Sequence, residues 1–105
     1  MSAIVSVYAV FADADEAARI ARAMVEAKLA ACVNILGPCR SIYRWHGAIE
    51  EADEVPAIFK TTVEKSERLI AAIRAAHSYD VPAIVTWPIA ASDERYRRWV
   101  SGQDE

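Results

Sequence analysis

Residues 3–11 (AIVSVYAVF) are apolar on both alternating faces of an extended chain. Val5, Val7, Ala9 and Phe11 fall on one face, and Ile4, Tyr8 and Val10 on the other. A strand of that kind has to be covered on both sides. The chain has 105 residues, enough for one two-layer core. A layer of helices can cover one face of a sheet built around this strand. The second face must be wet or covered by something else.

The remaining periodicities supply the helix layer. Asp13 is placed as an N-cap, with Glu16 closing a capping box. Ala17, Ile20, Ala21, Met24 and Val25 then recur at helical spacing, with Arg19, Arg22 and Glu26 on the polar side, which predicts a helix over 14–28. Residues 31–45 read as a second strand whose ladder is interrupted at Gly37-Pro38. His46-Gly47 is a tight turn into a third strand over 48–61, making a long hairpin. Pro56 inside that strand predicts an edge or a bulge. Thr61 or Thr62 caps a second helix over 63–76, with Leu69, Ile70 and Ile73 as its buried stripe. Residues 81–88 predict a fourth strand. Ser92 caps a short last helix whose apolar face carries Tyr96 and Trp99, and Gly102 stops it. The expected fold is α+β: a ferredoxin-like βαββαβ antiparallel sheet with a long hairpin between its second and third strands and a short C-terminal helix. It forms one domain over residues 1–105.

Composition narrows the partners. The hydrophobic fraction is 54%, but much of it is alanine, and no apolar run approaches the ~20 residues of a spanning helix. Residues 1–4 lack a basic leader region, so a cytoplasmic location is expected. A net charge of −3 gives no bulk attraction for nucleic acid or anionic membranes, and neither is expected as a partner. Cys32 and Cys39 read as reduced thiols. The strands show little polar alternation, so the face that the helices leave open is expected to associate with other copies of the chain.

Two clusters carry the candidate chemistry. The hairpin reads Ser41-x-Tyr43-x-Trp45-x-Gly47-x-Ile49, then Glu50, Glu51, Asp53 and Glu54, then Lys60-Thr61. Tyr43 and Trp45 share a face, as do Glu50, Glu54 and Lys60. These residues make either an aromatic pair beside solvated acids or a ligand or subunit pocket closed by an acid–lysine pair. The second cluster is His77-x-Tyr79-x-x-Pro82. Its histidine is either a dipole partner at a helix C-terminus or a metal or ligand contact. His46 reads as an exposed turn residue.

In order along the chain, Leu29-Ala30-Ala31-Cys32-Val33-Asn34, the hairpin motif through Glu50, Glu54, Lys60-Thr61-Thr62, His77-x-Tyr79-x-x-Pro82 and Tyr96-x-x-Trp99 resemble the CutA (CutA1) divalent-cation tolerance family. The resemblance runs from about residue 4 to 100. It implies a cytosolic homotrimer similar in architecture to the PII regulatory proteins, a part in the response to metal ions such as copper, and no established reaction. The leading reading is therefore a trimeric binding, signalling or scaffold module with a ligand pocket between subunits, in or near which Tyr43, Trp45, Glu54, Lys60, His77 and Tyr79 are expected. The copper ligands proposed for some relatives fall here on Ala9, Ala76 and His77. Only His77 can bind a metal, and one imidazole is too few to select copper(II). Copper(II) or another divalent metal is the cofactor the resemblance allows. The other reading is a PII-like regulatory trimer that binds a small molecule and has no metal role.

Two further classes share this strand order. Acylphosphatases need an anion cradle in the first loop, where residues 11–16 here are acidic and lack glycine. No nucleophile–base pair stands out either, so an enzyme is not expected. RNA-recognition domains need exposed aromatics on their central strands and basic flanks. Tyr8 and Phe11 lie on opposite faces, and the chain is acidic.

Overall fold

The computed structural model describes residues 3–102. Met1 and Ser2, on which the reading of a missing leader partly rests, lie outside the described residues, as do residues 103–105 at the other end of the expected domain. Strand β1 (Ile4–Phe11) runs between two antiparallel partners, β4 (Ala48–Thr62) and β5 (Ile84–Pro88). The odd residues of β1 form the inner face. Val7, Ala9 and Phe11 pack with Ala57 and Phe59 of β4 under helices α1 (Ala14–Glu26) and α2 (Val63–Ala76). Ile20, Leu69 and Ile73 reach into this layer and are fully buried.

Both helices start where their caps place them. The Asp13 carboxylate accepts the Glu16 N–H at 2.8 Å. The Glu16 carboxylate reaches back to the Ala12 N–H at 3.0 Å, one residue earlier than a capping box requires. Thr62, not Thr61, caps α2 and accepts the Lys65 N–H. Thr61 instead turns inward and donates to the Leu29 carbonyl at 2.7 Å. Helix α1 stops at Glu26 rather than at residue 28. Lys28 turns left-handed with φ 61°, so Leu29 N–H closes back on the Met24 carbonyl. Val25, one residue past the buried stripe, is exposed.

The expected second strand is two strands, β2 (Cys32–Ile35) and β3 (Cys39–Trp45), divided at Gly37-Pro38. The sheet thus has five strands in the order β2-β4-β1-β5, with β3 following β2 along the same edge of β4. β2 pairs with residues 57–60 of β4 and β3 with residues 48–54. Pro56 sits between those two runs. It is neither on an edge strand nor in a bulge, because its pairing with Val10 of β1 continues the register unbroken. Its carbonyl accepts from Leu36 N–H on the other side. The N–H and C=O of one extended residue point the same way, so the donor that proline lacks faces the break between β2 and β3.

The second face of the sheet carries Tyr8, Ile58, Lys60, Val85 and Trp87, and neither α1 nor α2 covers it. Tyr8 and Trp87 stack there at 4.8 Å. Helix α3 (Glu94–Val100) touches the same side, where the Tyr96 hydroxyl meets Cys32 Sγ at 3.4 Å. Asp93, rather than Ser92, caps α3 by accepting the Tyr96 N–H. Gly102 ends it with φ 82°. β5 begins at Ile84, not at residue 81, and residues 81–83 lead into it beside the hairpin.

A groove at the root of the hairpin arm

β3 and the first part of β4 project as an arm, and alternation sorts its side chains. Tyr43 pairs across the ladder with Glu50, and Cys39 with Glu54. Tyr43, Trp45, Glu50 and Glu54 therefore share one face. The neighbouring acids Glu51 and Asp53 point the other way and lie at 3.8 and 3.5 Å from the Arg40 guanidinium. These exposed pairs contribute little, but they split the acidic run in two.

The segment after α2 closes the arm into a groove. Tyr79, Asp80 and Val81 form one wall, Tyr43, Trp45, Glu50 and Glu54 the other, and Val10 and Ala83 line it between them. The groove holds about 540 Å³, within the range of roughly 300–1,000 Å³ typical of small-molecule sites. At its inner end the Tyr79 hydroxyl donates to Glu54 Oε2 at 2.6 Å. Burial first, and then the bond to Glu54, hold the Tyr79 phenol well above its ordinary pKa of 10.0, so it stays a proton donor. Glu54 is only 8% exposed. Its Oε1 has no hydrogen-bond partner among the described residues, and the side chain lines the groove.

His77 lies beneath this wall and serves to hold it. Its Nδ1 accepts the Tyr79 N–H at 3.0 Å, which leaves Nε2 as the donor to the Val10 carbonyl at 2.7 Å. The ring stacks on Phe11 at 5.0 Å and leans on Tyr79 at 4.8 Å. Next to it, Ser78 N–H donates to Glu16 Oε2 at 2.8 Å, fastening the same segment to the start of α1. Burial pushes the Glu16 pKa upward, but the Ala12 and Ser78 hydrogen bonds and the nearby His77 outweigh it and leave the group below its ordinary value.

The structure thus brings Tyr43, Trp45, Glu54 and Tyr79 together and sets His77 behind them. It does not bring Lys60. Lys60 shares the face of Glu54 but lies six residues further along β4, ~20 Å away at strand spacing. Its Nζ donates to Asn34 Oδ1 at 3.0 Å, so the expected acid–lysine closure does not form. Asp80, Val81 and Arg44 line the groove without having been singled out in the sequence. Asp80 adjoins Tyr79 in the motif, which was the one signal available for it.

A copper centre finds little to hold it in this chain. Ala9 and Ala76 offer no donor, and both His77 nitrogens are engaged. Among the described residues no three His, Cys, Asp or Glu side chains gather as a ligand set. The residues present do not fit the copper site that the resemblance implies. The first loop forms a second hollow of about 400 Å³ lined by Asp13, Asp15, Glu16, Arg19 and Ser78. Its Asp13 and Glu16 carboxylates already accept backbone N–H groups.

Topology, open sheet face and protruding arm define a ferredoxin-like α+β domain with one sheet face left uncovered by α1 and α2. The family described as CutA1 divalent ion tolerance protein matches residues 5–103. The divalent-cation tolerance protein CutA of Thermus thermophilus is 45% identical over 87 residues, covering 82% of this chain and 84% of that protein. The CutA of Thermococcus kodakarensis is 39% identical over 101 residues, covering 96% and 95%. The structure of the periplasmic divalent cation tolerance protein CutA from Archaeoglobus fulgidus superposes with a TM-score of 0.92 at 37% identity, covering 97% of this chain and 99% of that one. The chain spans 55% and 54% of the CutA homologues of Danio rerio and Xenopus laevis. The chain belongs to the CutA1 divalent ion tolerance family.

Proposed function

We propose that the chain serves divalent-cation tolerance as a cytoplasmic homotrimeric binding module that performs no catalysis of its own. The observation that carries this reading is the sheet face left uncovered by α1 and α2. Val85 and Trp87 are exposed at one edge of that face, and Tyr96, which meets Cys32 of β2 at the other edge, is exposed with its neighbour Trp99, as a face awaiting other copies of the chain would require. The relatives' names supply the tolerance role. The groove favours a second reading, a PII-like regulatory trimer that takes a small molecule and has no metal role. Its neutral phenol and the carboxylate bonded to it are suited to orienting a bound molecule.

The test is a calorimetric copper(II) titration of chelator-stripped protein, with molar mass by light scattering on the same sample. His77→Gln is the control, because the amide retains a donor and an acceptor. Because no ligand set gathers within one chain among the described residues, the proposal expects a trimer that binds copper saturably only through donors brought together by neighbouring copies, with an isotherm unmoved by His77→Gln. A trimer without saturable copper binding would transfer the function to the second reading. A monomer would overturn both.

A further inference from the structure

We propose that the groove at the root of the hairpin arm binds a small organic cation, a primary ammonium carried on an apolar body. This rests on reading the groove as the ligand-bearing part of the module, and it names the chemistry that part would accept. Three carboxylates, Glu50, Glu54 and Asp80, line the groove against one guanidinium, Arg44. The space therefore favours positive charge. The charge is not gathered as a metal ion needs it, since no three His, Cys, Asp or Glu side chains converge among the described residues. It is spread along walls that also carry the Tyr43, Trp45 and Tyr79 rings, and aromatic faces attract ammonium groups.

Glu54 gives the site its direction. It is 8% exposed, and the Tyr79 hydroxyl at 2.6 Å occupies only Oε2. Oε1 has no hydrogen-bond partner among the described residues, on a side chain that lines the groove. Oε1 is not among the sealed-off polar atoms that lack a partner, so it opens to the groove, and a carboxylate oxygen there accepts more strongly from a charged donor than from a neutral one. An ammonium at Oε1 would place its methylene chain against Val10, Val81 and Ala83, with the rings of Tyr43 and Trp45 closing over it.

The experiment titrates the intact oligomer calorimetrically with hexylamine, hexanol and hexanoate, which share one apolar chain and differ in the head group. Hexylamine should bind with the highest affinity and hexanoate with the lowest. Glu54→Gln keeps an acceptor for the Tyr79 hydroxyl and removes the charge. It should weaken hexylamine roughly tenfold and leave hexanol unchanged. Glu50→Gln, on the exposed arm, should weaken hexylamine by a smaller factor without any effect on folding. Equal binding of hexylamine and hexanoate, no binding of hexylamine by an intact oligomer, or a Glu54→Gln protein that binds hexylamine like the parent would each overturn the proposal. So would a Glu54→Gln protein whose molar mass falls, since the groove would then hold a neighbouring subunit. No hexylamine binding by a parent protein of oligomeric mass defeats this inference alone, whereas a monomeric parent protein defeats the trimer reading first.

Discussion

Glu16 ties two parts of the molecule with one carboxylate, accepting from Ala12 N–H at the start of α1 and from Ser78 N–H on the groove wall. Its folded pKa lies below the ordinary 4.5. Stability from the charged form is therefore complete above about pH 4.5 and is lost as the pH falls through the depressed value. Glu16→Gln should lower the unfolding free energy by about 1–3 kcal/mol at neutral pH. The gap from the parent should narrow below pH 4.5, where the parent's own carboxyl becomes neutral. Urea unfolding at pH 7 and pH 3 measures both, and a gap of the same size at the two values would remove the charge from the explanation. The sequence placed Glu16 at a cap but showed nothing of Ser78, 62 residues away. His77 repeats the lesson. Its position after α2 was legible, but its bond to Val10, 67 residues away, was not. That bond changes an apparent metal ligand into a bracket for Tyr79. Lys60 marks the limit of parity as a guide: alternation fixes which face a side chain takes, not how far along the strand it lies.

The hairpin arm depends on its turn. His46 and Gly47 both take positive φ, 49° and 82°, the pattern of a two-residue turn whose twist matches its strands. A Cβ at Gly47 would meet no atom within 4 Å, so any cost of Gly47→Ala comes from backbone strain alone. That cost should be about 1–2 kcal/mol, seen as a lower urea midpoint with faster amide exchange at Trp45 and Ala48. Unchanged exchange there would mean that the turn does not set the register of the arm. At this scale most of the fold was readable, because helices and strands announce themselves through caps and periodicity. The errors fell where backbone pairing decides. A lone sequence does not show that β4 changes partners at Pro56, so an interior proline looked like an edge. Pro82 and the segment around it are apolar enough to read as strand, yet Val81 and Ala83 line the groove instead.

For the whole molecule, the deciding quantity is what becomes of the second sheet face. Trp87 is 47% exposed and Val85 45%, on the strand that flanks a buried central one. Leaving such side chains in water forgoes ~25 cal/mol for each Å² of apolar surface that could be covered. Covering them with other copies of the chain links stability to concentration, because an assembly that binds only folded chains shifts the folding equilibrium by mass action. The melting temperature of the parent should therefore rise with protein concentration. Trp87→Lys places a charge where the covering copy would sit, while its own subunit loses one stacked ring against Tyr8. It should reduce the molar mass in light scattering, lower the melting temperature, and abolish the concentration dependence. A Trp87→Lys protein that keeps the parent's mass and melting curve would show that this face is not where the copies meet. Association would then have to run through the exposed Ile42 and Ile49, on the face of the hairpin arm opposite the groove.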